Sequence, residues 1–413
     1  MTSNETSMNG ELNAFKELPR HPVHSFHRYF GKLIPGIPAF AIEKYTEVGE
    51  IVLDPFSGSG TTVVEAKERN RIGIGVDLNP LAILVAKVKT TWIDETLLTE
   101  QLDLIISSMN KSEKNLEFDE PYVVNMDHWF RSEVKQELLK LKYTIDNIPN
   151  NDIRDFFLVT FSAFLRGVSN ADPQHVFPGF SKRMRKLEAE GRKIDVMASF
   201  IRAAKKRIKQ ISLISRGSNR TFLHASSFTD ANLDLKYKVK LIVTNPPYIS
   251  SIRYLETMKI EMGWLGFLKS QKEYLEMDKS VIGTERFYKA EIQDLGTVGY
   301  AKIDDQISEV ADLYPKMAKT VYEYFLQMNK VFENASKLIV KGGHLVIKIS
   351  DSKVRNQIIA THSHFIDICN RHDFELMHDL IDDFDPNSRS LLTSRNSYSG
   401  IMTFDHVLIF QRK

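Results

Sequence analysis

Residues 50–90, EIVLDPFSGSGTTVVEAKERNRIGIGVDLNPLAILVAKVKT, constrain the fold of this chain more than any other stretch. An apolar run ends on Asp54 and meets a turn containing Gly58 and Gly60, and a helical pattern follows. A second apolar run then ends on Asp77 and leads into another helical pattern. Strand, glycine-rich turn, helix, strand, turn, helix is the opening of a doubly wound α/β sheet. The sheet signal resumes at RTFLHASSF and KVKLIVTNPPY, returns at HLVIKIS after a long helical pattern closed by Gly342-Gly343, and ends with FDHVLIFQRK. QIIATHSHFIDICNRH reads as a helix, and DLIDDFDPN and SRSLLTSRNSYSG read as loops.

Between these blocks, from about 96 to 220, strand signals vanish and helical periodicity dominates. Val196, Met197, Phe200, Ile201, Ala204, Ile208 and Ile211 make one apolar stripe. The expected organisation is an α/β domain with a doubly wound, mostly parallel sheet formed by 21–95 and 221–413. A helical, basic insertion occupies 96–220, and the polar residues 1–20 form a flexible N-terminal arm. Net charge is only +2, yet residues 181–220 carry thirteen Lys/Arg against three Asp/Glu. Such a patch is the electrostatic footprint of a nucleic-acid contact, or else a solvated helix face. No run approaches the ~18 apolar residues of a membrane span, and the polar start MTSNETSMNGELN lacks a signal-peptide core. A cytoplasmic protein without membrane contact is expected. The single cysteine, Cys369, excludes an intrachain disulfide and a multi-cysteine zinc site, and its apolar helical surroundings place it in the core. The twelve histidines show no HExxH-like spacing, so no metal is expected.

The turn LDPFSGSGTT has the position of a nucleotide-type binding loop. It lacks the lysine of a P-loop, Val63 stands where a dinucleotide fingerprint wants a small residue, and Asp54 repels a pyrophosphate. Glycines combined with a carboxylate suit a ligand bearing an ammonium group, a description that the methionyl end of S-adenosylmethionine fits. Asp77, at the end of the next strand, can accept both hydroxyls of a ribose. In LIVTNPPY, two prolines stop the strand and stiffen the backbone. The Asn245 side-chain oxygen and the Pro246 carbonyl are left as rigid acceptors beside the Tyr248 ring. That arrangement can hold a flat substrate by its amino group while stacking on its face.

HRYFGKLIP, LDPFSGSGTT, GVDLNP and TNPPY together resemble successive motifs of the S-adenosylmethionine-dependent DNA amino-methyltransferases, which modify adenine N6 or cytosine N4. NPPY resembles the form usual in the adenine enzymes. SIRYLETMKIEMGWLGF, VIGTER and KGGHLVIKISDS resemble a branch whose members often carry serine at the Asn245 position. The resemblance covers 21–95 and 221–413, and SNADPQHVFPGFSKRMRK is similar to that branch too. It implies a class I, Rossmann-like fold. Asp54, Phe56, Gly58, Gly60 and Thr61 would line the methionine part of the cofactor and Asp77 its ribose. Tyr29, Lys32 and Pro35 match an upstream motif that packs over the methionine end, and Asn245, Pro246, Pro247 and Tyr248 match the catalytic motif. Ser226 or Ser227 stands where an acidic residue usually meets the cofactor adenine.

The implied activity is site-specific methylation of adenine N6 in a base flipped out of double-stranded DNA. Restriction-modification or phage defence is the expected setting, with a cognate restriction endonuclease or defence-system subunit as partner. Arg183, Arg185, Lys205, Lys206 and Arg207 are the expected phosphate contacts, with Arg253 and Arg286 beside them. Cytosine N4 methylation is the nearest alternative, followed by an RNA methyltransferase and by a catalytically silent DNA-recognition subunit. Cytosine C5 chemistry needs a cysteine nucleophile, typically after proline, whereas Cys369 follows Ile368.

Overall fold

The structure, a computed structural model, describes residues 3–111, 118–217, 220–230, 235–249, 253–354, 357–383 and 404–413. The strands are β1 (Ile51–Asp54), β2 (Ile72–Asp77), β3 (Thr221–Ala225), β4 (Val239–Thr244) and β5 (Ile339–Ile349). They continue as β6 (Ser352–Val354), β7 (Gln357–Ile359), β8 (Phe374–Asp383) and β9 (Phe404–Arg412). Among the described residues one seven-stranded sheet has the order β3-β2-β1-β4-β5-β9-β8, and β6 and β7 form a separate hairpin. Strands β1 to β5 run parallel, and β9 is antiparallel to both β5 and β8. The chain winds from β1 outward to β3, then returns to the other side of β1 with β4. The carboxyl ends of β1 and β4 therefore flank the topological switch point, where doubly wound sheets leave a crevice.

Strand periodicity divides the apolar residues between two helical layers. Leu241 and Val243 of β4 pack with Ile37, Phe40 and Leu12 on one face. Ile242 packs on the other with Ile303, Val321, Phe325 and Phe365 from the helices Ala301–Leu313, Pro315–Leu338 and Thr361–Arg371. Cys369 is buried in that second layer. No helix among the described residues is long and apolar enough to cross a membrane.

Among the described residues of 95–211 the regular structure is all helical, with Glu95–Asn110, Ser132–Asp146, Asn151–Val168 and Val196–Ile211 as its longest members. Its aromatic core, built on Phe156, Phe157, Phe161 and Phe200, is continuous with Leu81, Val85 and Val88 of the helix after β2 and with Trp264. These helices thus extend a layer of the sheet domain.

Three local expectations need correction. The arm expected to be flexible contains a helix, Ser3–Glu17, whose Met8 and Leu12 are buried. Phe15 meets Phe40 edge-on at 5.8 Å, and Ile381 N donates to Asn9 Oδ1 at 3.2 Å. Its apolar stripe is only Met8, Leu12 and Phe15, too narrow to stand out in a polar stretch. Gly342-Gly343 do not cap a helix but lie within β5, where Gly342 at φ 72° accommodates a register shift against β4. The acidic DLIDD is the end of strand β8, while the rest of that expected loop region, residues 384–400, lies outside the described residues. Asp382 and Asp405 are both fully buried, because Lys348 reaches both and Lys16 reaches Asp382.

This charge network predicts a large cost for removing its central cation. Lys348→Met leaves two carboxylates buried against one remaining lysine and should destabilise the fold by about 3–5 kcal/mol in urea denaturation. A loss below about 1 kcal/mol would show that the network does not hold the β5–β9–β8 edge.

Candidate active site

The Asp54 carboxylate, buried at the end of β1, is the junction of the site. Its Oδ1 accepts from Phe56 N at 3.1 Å and from Thr244 Oγ1 at 2.8 Å, and its Oδ2 accepts from Thr62 Oγ1 at 2.7 Å. One side chain thereby joins β1, the glycine turn, the helix Thr61–Glu68 and the last residue of β4. Burial pushes its pKa up to about 6, against the opposing pull of the three hydrogen bonds. Asp77 plays a parallel part at the end of β2, accepting from Gly58 N at 2.8 Å and Asn79 N at 2.9 Å. Burial raises it to about 6 as well. Gly58 has φ 49°, and a Cβ there would lie 2.9 Å from the Tyr29 ring, so both the turn and the close approach require glycine.

Asn245 follows Thr244 directly. Its Nδ2 donates to Gly31 O at 3.1 Å, and its Oδ1 accepts from the Tyr248 hydroxyl at 3.2 Å. With the amide nitrogen committed to a backbone carbonyl, the side chain is held with its oxygen as the acceptor. The carbonyl belongs to the upstream HRYFGKLIP loop, which is itself pinned. Lys32 Nζ donates to His24 O at 2.9 Å and His27 O at 2.7 Å, and burial lowers its pKa to about 8. His24 pairs with Glu65 at 2.6 Å on the helix after the glycine turn. His27 Nε2 lies 2.9 Å from Ser162 Oγ, and burial holds its pKa down at about 3.

Tyr29, Lys32, Asp54, Phe56, Gly58, Thr61, Asp77, Ser226, Asn245 and Pro247 all line one cleft enclosing about 900 Å³, including its opening to solvent. Four expected residues are not part of its lining. Pro35 precedes the helix Gly36–Tyr45, Gly60 packs on Ala86, Pro246 is buried, and Tyr248 lies against the apolar layer beneath. The cleft also takes in Ser57, Ser59, Phe228, Tyr254 and Ser280–Ile282, which sequence reasoning did not single out. The Ser57 and Ser59 hydroxyls are buried without a hydrogen-bond partner among the described residues. Ser226 lines the cleft where an acidic side chain was expected, and its hydroxyl donates to Asp230 at 3.3 Å.

The basic residues divide into two groups. Arg185, Lys205 and Lys206 are exposed, with Arg185 5.6 Å from the Phe180 ring centre. Arg207 is buried, lying 5.5 Å from the Phe26 ring centre and donating to Ala203 O at 3.0 Å. It therefore serves the helix packing, and its expected role on phosphate is withdrawn. Arg183 grips Asp172 through two nitrogens, Arg253 pairs with Glu256 at 2.6 Å, and Arg286 pairs with Asp278. Arg28 donates to Pro173 O at 2.8 Å, tying the HRYFGKLIP loop to the basic loop.

A DNA methylase family model (N6_N4_Mtase) matches residues 24–88. The chain is 33% identical over 156 residues to the type II methyltransferase M.MjaII of Methanocaldococcus jannaschii, a match spanning 36% of this chain and 29% of that relative. It is 23% identical over 343 residues to the type II methyltransferase M.MvaI of Kocuria varians, spanning 77% of this chain and 74% of that one. Among solved structures, TrmN from Thermus thermophilus aligns with 95% of this chain and 52% of its own, at 11% identity and a TM-score of 0.32.

The Asp54–Thr244 bond can be tested directly. Thr244→Val leaves a buried carboxylate oxygen one donor short and should cost about 1–3 kcal/mol in chemical denaturation, with Thr244→Ser recovering most of it. Equal stability of Val and Ser variants would remove the bond from the account.

Proposed function

We propose that this chain is a DNA amino-methyltransferase that transfers a methyl group from S-adenosylmethionine to adenine N6 in double-stranded DNA, a reading that the family-model match and the two relatives support. The observation that carries this reading is the Asn245 amide, its nitrogen fixed on Gly31 O and its oxygen set at the cleft beside the Asp54 turn. The cofactor fits the residues present. Two buried hydroxyls, Ser57 and Ser59, have no partner among the described residues, the Asp54 and Asp77 carboxylates at the cleft would hold the cofactor's ammonium and ribose, and glycine leaves room at position 58. When bound, the cofactor supplies an electrophilic methyl group on a sulfonium.

The rest is positioning by the chain. An exocyclic amine on a base is a poor nucleophile because its lone pair is delocalised into the ring. The Asn245 oxygen and the Pro246 carbonyl accept its two N–H hydrogens, localise the lone pair and aim it along the line of displacement. Tyr248, whose hydroxyl holds the Asn245 oxygen, supports the acceptor from below, while its ring, packed against the apolar layer, does not line the cleft. Arg185, Lys205 and Lys206 contact phosphates and offset the unstacking cost of about a few kcal/mol. The biological setting is restriction-modification or phage defence in the cytoplasm, with a nuclease or defence subunit as partner. Cytosine N4 is the second reading, favoured by the branch resemblance around VIGTER, because Ser280–Ile282 form part of the cleft wall.

Single-molecule methylation sequencing of DNA from cells expressing wild type and Asn245→Ala tests both readings. 6-Methyladenine at one motif, absent in the variant, is expected; 4-methylcytosine alone would establish the second reading. In vitro, Asn245→Ala should lower kcat by about 10²–10³-fold while cofactor affinity stays within a few-fold. An unchanged kcat would sink the acceptor role.

The raised carboxylates give a pH signature. Asp54 and Asp77 take up protons as the pH falls below about 6 in the free protein, whereas a cationic ligand favours their ionised forms. S-adenosylmethionine binding should therefore release protons near pH 5.5. It should weaken by up to about tenfold per pH unit per carboxylate below 6. Calorimetry in two buffers of different ionisation enthalpy measures this, and affinity flat from pH 8 to 5 would refute it.

A further inference from the structure

We infer that Asp351, His362 and His406 form a site for one divalent ion of the zinc class, separate from the catalytic cleft. The three come from different elements. Asp351 lies just past the end of β5, His362 in the first turn of the helix Thr361–Arg371, and His406 on β9 opposite Ile349. One ligand atom from each lies within 4.8 Å of the others. Modest side-chain rotation closes that spread to the roughly 3.3 Å between ligand atoms held at about 2.0–2.1 Å around a tetrahedral ion.

The surroundings are those of a supported site. His406 Nδ1 lies 2.8 Å from Asp379 Oδ1 on β8, a carboxylate that fixes the ring and leaves the other nitrogen as the lone-pair donor. This is the arrangement that stands behind metal-bound histidines. His362 Nδ1 lies 2.7 Å from Asp351 Oδ1, and the two imidazoles stack parallel within 5° at 3.9 Å between ring centres, so binding one ion requires the His362 ring to turn out of the stack and its hydrogen bond to Asp351 to open. Two imidazoles and one carboxylate make a donor set for zinc, nickel or cobalt rather than calcium or magnesium, which prefer all-oxygen cages. His406 is buried while Asp351 and His362 are partly open, so an ion has both a floor and an entry path. Position in sequence hides the set, because its members lie 11 and 44 residues apart. An ion here would fasten the end of β5, the neighbour of β4 and its Asn245, to the antiparallel edge of the sheet.

The test uses untagged full-length protein stripped with a chelator and then titrated with zinc chloride in a calorimeter. One equivalent per chain, with a rise in Tm, is expected, and cobalt should give the visible absorption of a tetrahedral adduct. His362→Gln and His406→Gln should each abolish the stoichiometric binding, and Asp379→Asn should weaken it about 10–100-fold. Circular dichroism of the metal-free variants checks that they fold. Wild-type protein that binds no equivalent of zinc, or binding unchanged in His362→Gln and His406→Gln, overturns the site.

Discussion

The rest of this structure depends on a buried carboxylate with three donors. Asp54 takes a hydrogen bond from the turn that follows it, from the helix that the turn opens and from the last residue of β4. Those three elements meet only because the strand order reverses between β1 and β4, and a carboxylate is the side chain able to gather several donors at one point. Burial makes its charge costly, so each of the three bonds matters to keeping the junction intact. The glycine turn and the Asn245 amide are thus built on one support.

A second constraint is the loop that includes Gly31. It is bound to the helix after the glycine turn by His24, to itself by Lys32, to the basic loop by Arg28 and to the acceptor amide through the Gly31 carbonyl. The loop acts as a strap, and its polar contacts are mostly to backbone carbonyls. Carbonyl partners leave no signature in a sequence, since any residue supplies one.

Much of the fold was legible because continuous apolar runs, strand-ending carboxylates and the proline pair are local signals. Ten of the residues read as site residues line one cleft for the same reason: they fall at strand ends, and the topology brings strand ends together. What escaped was long-range or masked by polarity. The N-terminal helix buries only a three-residue stripe, and β8 reads as a loop because Asp382 is neutralised by lysines from elsewhere in the chain. Arg207 looks like its basic neighbours but sits on the helix face turned inward to Phe26.

The helical stretch after residue 95 shares one apolar cluster with the helix that follows β2. Phe156 and Phe157 need Leu81 and Val85 as much as the reverse, so neither part keeps its interior if separated. A lineage carrying this architecture cannot trade that stretch as a cassette between relatives. Divergence has to proceed by substitution on outward faces such as those of Arg185, Lys205 and Lys206, one side chain at a time, over an interior that stays common to both parts.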